Sequence, residues 1–170
     1  MSETNPIETN KRYSGIAKLL HWGFVILFLY GIAKQLDEIN ELEDINLLKF
    51  EVLFAAVFLI LLIFRFIYMK RTQVSSLPEK TSKIQNLAAK SVHYAMYICL
   101  AAIALTGLMI GFLYWVGFKN GFLINVVVEV HSLSVSAIYW LISIHILAAV
   151  YHRLQKDGVW TSMVPFWKEK

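Results

Sequence analysis

Five histidines are the residues of this 170-residue chain best suited to chemistry. His21, His93, His131, His145 and His152 all lie in or beside long apolar runs, and none lies in the polar tails. An ionisable side chain inside a bilayer is costly and is usually kept for function. Their spacing adds to this. His145 follows His131 by 14 residues, close to four turns of helix, so both point to nearly one face. At about 1.5 Å of rise per residue they stand roughly 21 Å apart along the axis. His152, 7 residues further on, returns to about the same face. Neutral imidazole is a good axial ligand for haem iron. Two ligands so far apart on one helix would place one haem toward each side of the bilayer. One tetrahedral zinc fits worse, because the imidazoles are too dispersed in depth. A lone interfacial histidine is most often a plain polar residue. Five confined to apolar runs, three on one stripe, favour cofactor duty.

A ligand pair needs partners at matching depth. His21 opens the first apolar run, and His145 lies in the half of the fourth run on the same side. These two can meet across one porphyrin. On the other side His131 needs a partner from the start of the second run, where Glu51 stands.

Four runs are long enough to position these residues. They cover about Leu19–Ala33 (starting near Gly15), Leu47–Met69, Leu87–Trp115 and Val126–Tyr151. About 20 apolar residues cross a bilayer as a helix, and lipid leaves the backbone no other way to satisfy its hydrogen bonds. The composition agrees: 58% of the residues are hydrophobic and 16% charged, with a mean hydropathy of +0.57. Soluble domains carry roughly 25% charged residues. The expected fold is all-α, an antiparallel four-helix transmembrane bundle. Residues 1–14 read as a flexible tail, 15–152 as the membrane domain and 153–170 as a second tail.

Lysine and arginine set the orientation. Twelve of the sixteen lie in the N-terminal segment, the loop at Lys70–Lys90 and the C-terminal segment. Three, Lys34, Lys49 and Lys119, lie on the other side, and Arg65 is inside the second span. The excess of positive charge predicts both termini in the cytoplasm. Tyr30, Tyr68, Tyr114, Trp115, Tyr151 and Trp160 fall near the expected interfaces.

Several classes are excluded or disfavoured. No basic face is interleaved with aromatics, so nucleic acid is not a partner. The single cysteine, Cys99, rules out a disulfide framework and the CxxCH motif of covalent haem. The polar Met1–Asn10 segment does not read as a cleaved signal peptide. Pro6, Pro78 and Pro165 all lie outside the spans, so no broken helix suggests a transporter.

Taken in order, these residues resemble the bacterial cytochrome b561 family, relatives of the hydrogenase-type cytochrome b subunits. The resemblance runs from about Arg12 to Pro165. It rests on Arg12-Tyr13-Ser14 followed by Leu20-His21-Trp22, on His131, His145 and His152, on Arg65 placed 14 residues after Glu51, and on His93 opening the third span. It implies non-covalent haem b in the bacterial inner membrane and one-electron transfer between a membrane quinone such as ubiquinone and a second partner. His21 and His145 would ligate the inner haem, with His152 a rival to His145. His131 would be one ligand of the outer haem. Arg65 would contact a propionate or snorkel to the interface. His93 and His152 would contact propionates or a quinone, or serve as interfacial polar residues.

The departure from the family pattern is at Glu51, where the family has the outer-haem histidine. Four residues on, Ala55 replaces the common glycine. One haem b is therefore expected, with two left open. The loop from Lys34 to Lys49 carries five carboxylates against two lysines. Such a loop repels superoxide, so superoxide:quinone oxidoreduction, one activity of the family, ranks below plain electron transfer. The loop suits a basic periplasmic electron-transfer protein. A haem-poor anchor subunit of a larger redox complex, or a homodimer, are the alternatives.

Overall fold

The computed structural model describes residues 13–36, 38–78 and 80–169. Met1–Arg12, Asp37 and Glu79, and with them most of the N-terminal tail and the Arg12 of the family signature, lie outside the described residues. The four spans are helices: α1 (Gly15–Ala33), α2 (Ile45–Thr72), α3 (Lys83–Trp115) and α4 (Phe122–Gln155). A short 3-10 helix, Ile39–Glu43, follows α1, and a one-turn helix, α5 (Val159–Met163), follows α4. No strand occurs among the described residues.

Local sequence sets the helix ends. The Ser14 hydroxyl accepts from the Ala17 amide at 3.1 Å and opens α1. Asp44 accepts from the Asn46 amide at 2.8 Å and opens α2. Ser82 and Gln85 form a reciprocal capping box at the start of α3. Lys70 and Arg71 sit in the last turn of α2, and His152 and Arg153 in that of α4, where positive charge suits the helix dipole. α4 starts four residues earlier than hydropathy suggests. The turn is made at Gly121, whose φ of 108° suits glycine, and the apolar Phe122 already belongs to the helix.

α3 is the central element and packs against both α2 and α4, while α1 packs mainly on α2. Two apolar clusters hold the bundle. One contains Phe24, Phe58, Leu62, Leu100, Ala104 and Ile138. The other, toward the 3-10 helix, contains Leu42, Leu48, Ile110, Leu113, Tyr114 and Ile124. The outward faces carry Ile60, Ile98, Leu133 and Trp140, all largely exposed. That pattern suits lipid as the surrounding solvent. Tyr114 stands in the last turn of α3. It is buried inside the second cluster, while the adjacent Trp115 is exposed.

Candidate functional site

Each of the four long helices sends one side chain to a common cluster: His21 from α1, Arg65 from α2, His93 from α3 and His145 from α4. The His21 and His145 ring centres are 6.4 Å apart, and those of His93 and His145 are 5.0 Å apart. Arg65 Nη2 lies 2.7 Å from His21 Nδ1. Its guanidinium also lies over the rings of Phe24 and Tyr97, at 5.5 and 5.6 Å from their centres. These faces stabilise the cation inside an apolar bundle. Arg65 Nε is buried and has no hydrogen-bond partner.

Donor and acceptor chemistry fixes the protons. Arginine only donates, so His21 Nδ1 accepts and the ring proton sits on Nε2. His93 Nδ1 lies 2.7 Å from the Ala89 carbonyl, which only accepts, so Nδ1 carries the proton and Nε2 keeps a free lone pair.

His131 stands apart from this cluster. Its Nδ1 is 2.9 Å from Thr106 Oγ1, which itself donates to the Ala102 carbonyl at 2.6 Å. The hydroxyl has one proton, so it accepts from His131 Nδ1–H and leaves Nε2 free. A Cβ added at Gly107 would lie 3.7 Å from the His131 ring and 3.8 Å from the Ala55 methyl. α2, α3 and α4 therefore meet closely at this level. Glu51 lines a cavity of about 250 Å³ with Lys34, Gln35, Glu41 and Phe50. Lys34, and not the neighbouring Lys49, shares that cavity with it.

His152 is bonded elsewhere. Its Nδ1 is 2.6 Å from Asp157 Oδ2, across the turn that ends α4. Thr106, Asp157 and Tyr97 join these sites only in the folded chain. Thr106 was findable as a hydroxyl in the middle of an apolar run. Nothing in spacing alone points to Asp157 or Tyr97.

The cluster at His21 and His145 has the donor set that could hold a haem b. The His21 and His145 rings are 6.4 Å apart, so the two imidazoles could hold one haem iron between them. Ligation through His21 Nε2 requires its Nδ1 to carry the proton, so Arg65 must turn to another acceptor. A carboxylate is suitable, because it can take both the released N–H and the buried, unpartnered Nε. At the other level the fit fails for two imidazoles. With His21, His93 and His145 in one cluster and His152 on Asp157, His131 has no second imidazole.

The sequence profile of a family described as prokaryotic cytochrome b561 matches residues 12–166. Comparison with curated proteins and with solved structures gave no match.

Proposed function

The chain belongs to the prokaryotic cytochrome b561 family, membrane b-type cytochromes of electron transfer that bind haem b, and from that premise we propose that it passes single electrons between a membrane quinone and a second redox partner through one haem b held by His21 and His145. The observation that carries this reading is the 6.4 Å separation of the two rings, with Arg65 beside them. The bound haem supplies a one-electron store; the chain supplies its ligation, burial and tuning. His21 on α1 and His145 on α4 would hold the iron. Arg65 supplies a buried positive charge for the haem carboxylates. Phe24 and Tyr97 cover the faces of that cation. His93, exposed and with a free Nε2, is the group nearest His145 that can take a proton from a quinol arriving through the lipid.

The positive-charge excess supports an inner-membrane protein with both termini in the cytoplasm. The His21 cluster then lies on the cytoplasmic side and Glu51 on the periplasmic side. Glu38, Glu41, Glu43 and Asp44 are exposed at that outer end. They favour a basic electron-transfer protein as partner over the superoxide anion.

The test is a haem count with a reduced-minus-oxidised spectrum. Wild-type protein is expected to hold one haem b per chain. His21→Ala and His145→Ala are expected to lose it, and His131→Ala and His152→Ala to keep it. Retention of full haem in both of the first two variants would overturn the ligand assignment.

A further inference from the structure

The segment after α4 is built as a closed unit. The chain turns at Lys156 and Gly158, both left-handed, forms α5, and returns so that Glu169 meets the start of the segment. Glu169 Oε2 accepts from the Gly158 amide at 2.9 Å and lies 3.1 Å from Thr161 Oγ1, which in turn accepts from the Glu169 amide. Arg153, in the last turn of α4, lies over Trp160 and Trp167 at 4.9 and 5.8 Å. The Trp160 indole N–H donates to the Trp167 carbonyl at 3.1 Å. Thr161, Ser162 and Val164 are buried, which a loose tail could not achieve.

This unit grips the start of α1. Lys18 Nζ donates to the Thr161 carbonyl at 3.5 Å. The Trp22 indole N–H donates to the Met163 carbonyl at 3.3 Å, and the Trp22 ring packs on Phe166 with centres 5.2 Å apart. Trp22 in turn stands edge-on to the neighbouring His21, with centres 5.8 Å apart and planes at 88°. His21 is thus held by Arg65 at Nδ1 and by Trp22 on its ring. An imidazole turns freely about its last side-chain bond unless neighbours fix it, and that orientation governs how a metal ligand presents its lone pair.

We propose that residues 158–169 form a clasp that fixes the orientation of the His21 imidazole through Trp22. Trp22 and Phe166 are positioning residues in this scheme; neither is a ligand. The arrangement ties the last turn of the chain to the first helix, so the His21 face is complete only when the C-terminal segment is seated.

The test has two arms, and only the second rests on the function proposed above. In the haem-free full-length chain in micelles, the His21 ring signal is followed by NMR of labelled histidine, and seating of the clasp by trypsin cleavage after Lys156. Phe166→Ala and Trp22→Ala are expected to raise cleavage about tenfold and to move the His21 signal in the same direction. Trp22→Phe is expected to keep most of the wild-type signal. In the haem-loaded chain the same variants are expected to shift the low-spin EPR signal and the midpoint potential without loss of haem. Unchanged cleavage in Trp22→Ala overturns the clasp. Raised cleavage in Phe166→Ala with an unmoved His21 signal overturns its action on His21. If wild-type protein binds no haem while the first arm behaves as expected, the proposed function fails and the clasp stands.

Discussion

Arg65 on α2 and His21 on α1 meet at 2.7 Å, guanidinium to Nδ1. The contact places a fixed cation beside the imidazole pair, in a setting where Phe24 and Tyr97 cover its faces. A positive charge held near a redox centre favours the added electron.

Arg65→Leu is therefore expected to lower the midpoint potential of the haem. At a separation of roughly 8 Å and an effective dielectric constant of about 20, one charge is worth about 2 kcal/mol. Arg65→Lys restores the charge but not the planar fork, and should recover part of the shift. Redox titration of the two variants checks this. Equal potentials in wild type and Arg65→Leu would mean that water or lipid headgroups screen the charge.

Glu51 and Ala55 are the two positions expected to limit the outer site. Glu51→His supplies the imidazole that His131 lacks, and Ala55→Gly removes the methyl beside Gly107. The double variant is expected to raise haem content from one to two per chain, with a second low-spin signal. Glu51→His alone should bind the second haem less completely. A count that stays at one would show that the close approach of α2 and α3 at this level, rather than the missing ligand, decides occupancy.

Thr106→Val removes the hydroxyl that accepts from His131 Nδ1 and leaves a half-buried imidazole unpaired. The cost of such a loss is about 1–3 kcal/mol. Thermal unfolding in detergent should show it as a lower midpoint, while the spectrum of haem bound as proposed, by His21 and His145, stays as in wild type.

Much of this architecture was legible in the sequence. The four spans follow from hydropathy, although α3 and α4 each start four residues before the expected Leu87 and Val126, and the capping roles of Ser14, Asp44 and Ser82 emerge only from the fold. Depth brings His21 toward His145 or its rival His152, and the fold places the His145 ring 6.4 Å from His21 and His152 on Asp157. Which face each helix turns inward does not follow from the sequence. These helices are apolar all round, so no stripe sets their rotation. That is why Arg65 as the neighbour of His21, and Thr106 as the partner of His131, needed the fold. α5 is one turn long, too short to announce itself by periodicity. Its one aromatic residue, Trp160, looks like an interfacial anchor, and so does Tyr114, which packs into the second apolar cluster. The early start of α4 was hidden because apolar Phe122–Ile124 follows two glycine turns and is separated from the main run by Asn125.

Orientation can be read with two single cysteines in a Cys99→Ser background. Ser75→Cys lies between α2 and α3, and Asn120→Cys between α3 and α4. With both termini in the cytoplasm, an impermeant maleimide labels Asn120→Cys in spheroplasts and Ser75→Cys only after lysis. The reverse pattern would put the His21 cluster on the outer face and overturn the assignment of the acidic end as a periplasmic docking surface.

Gly111 fixes how closely α2 and α3 approach. A Cβ built there would overlap Val52 Cγ2 and also touch Leu48 at 3.8 Å. Val52 is β-branched and stiff at χ1, so its methyl cannot simply swing away. Overpacking of this kind costs about 1–3 kcal/mol, against which the better helix propensity of alanine returns up to about 1 kcal/mol. Gly111→Ala is therefore expected to destabilise the bundle by a net of about 1–2 kcal/mol. Val52→Ala removes the overlapping methyl, so Gly111→Ala/Val52→Ala should be more stable than Gly111→Ala alone. That non-additivity is the signature of direct contact between the two positions. Thermal unfolding of the two single variants and the pair measures it. Simple additivity would mean that the helices shift apart at little cost, and that close packing at Gly111 does not set the spacing of the outer half.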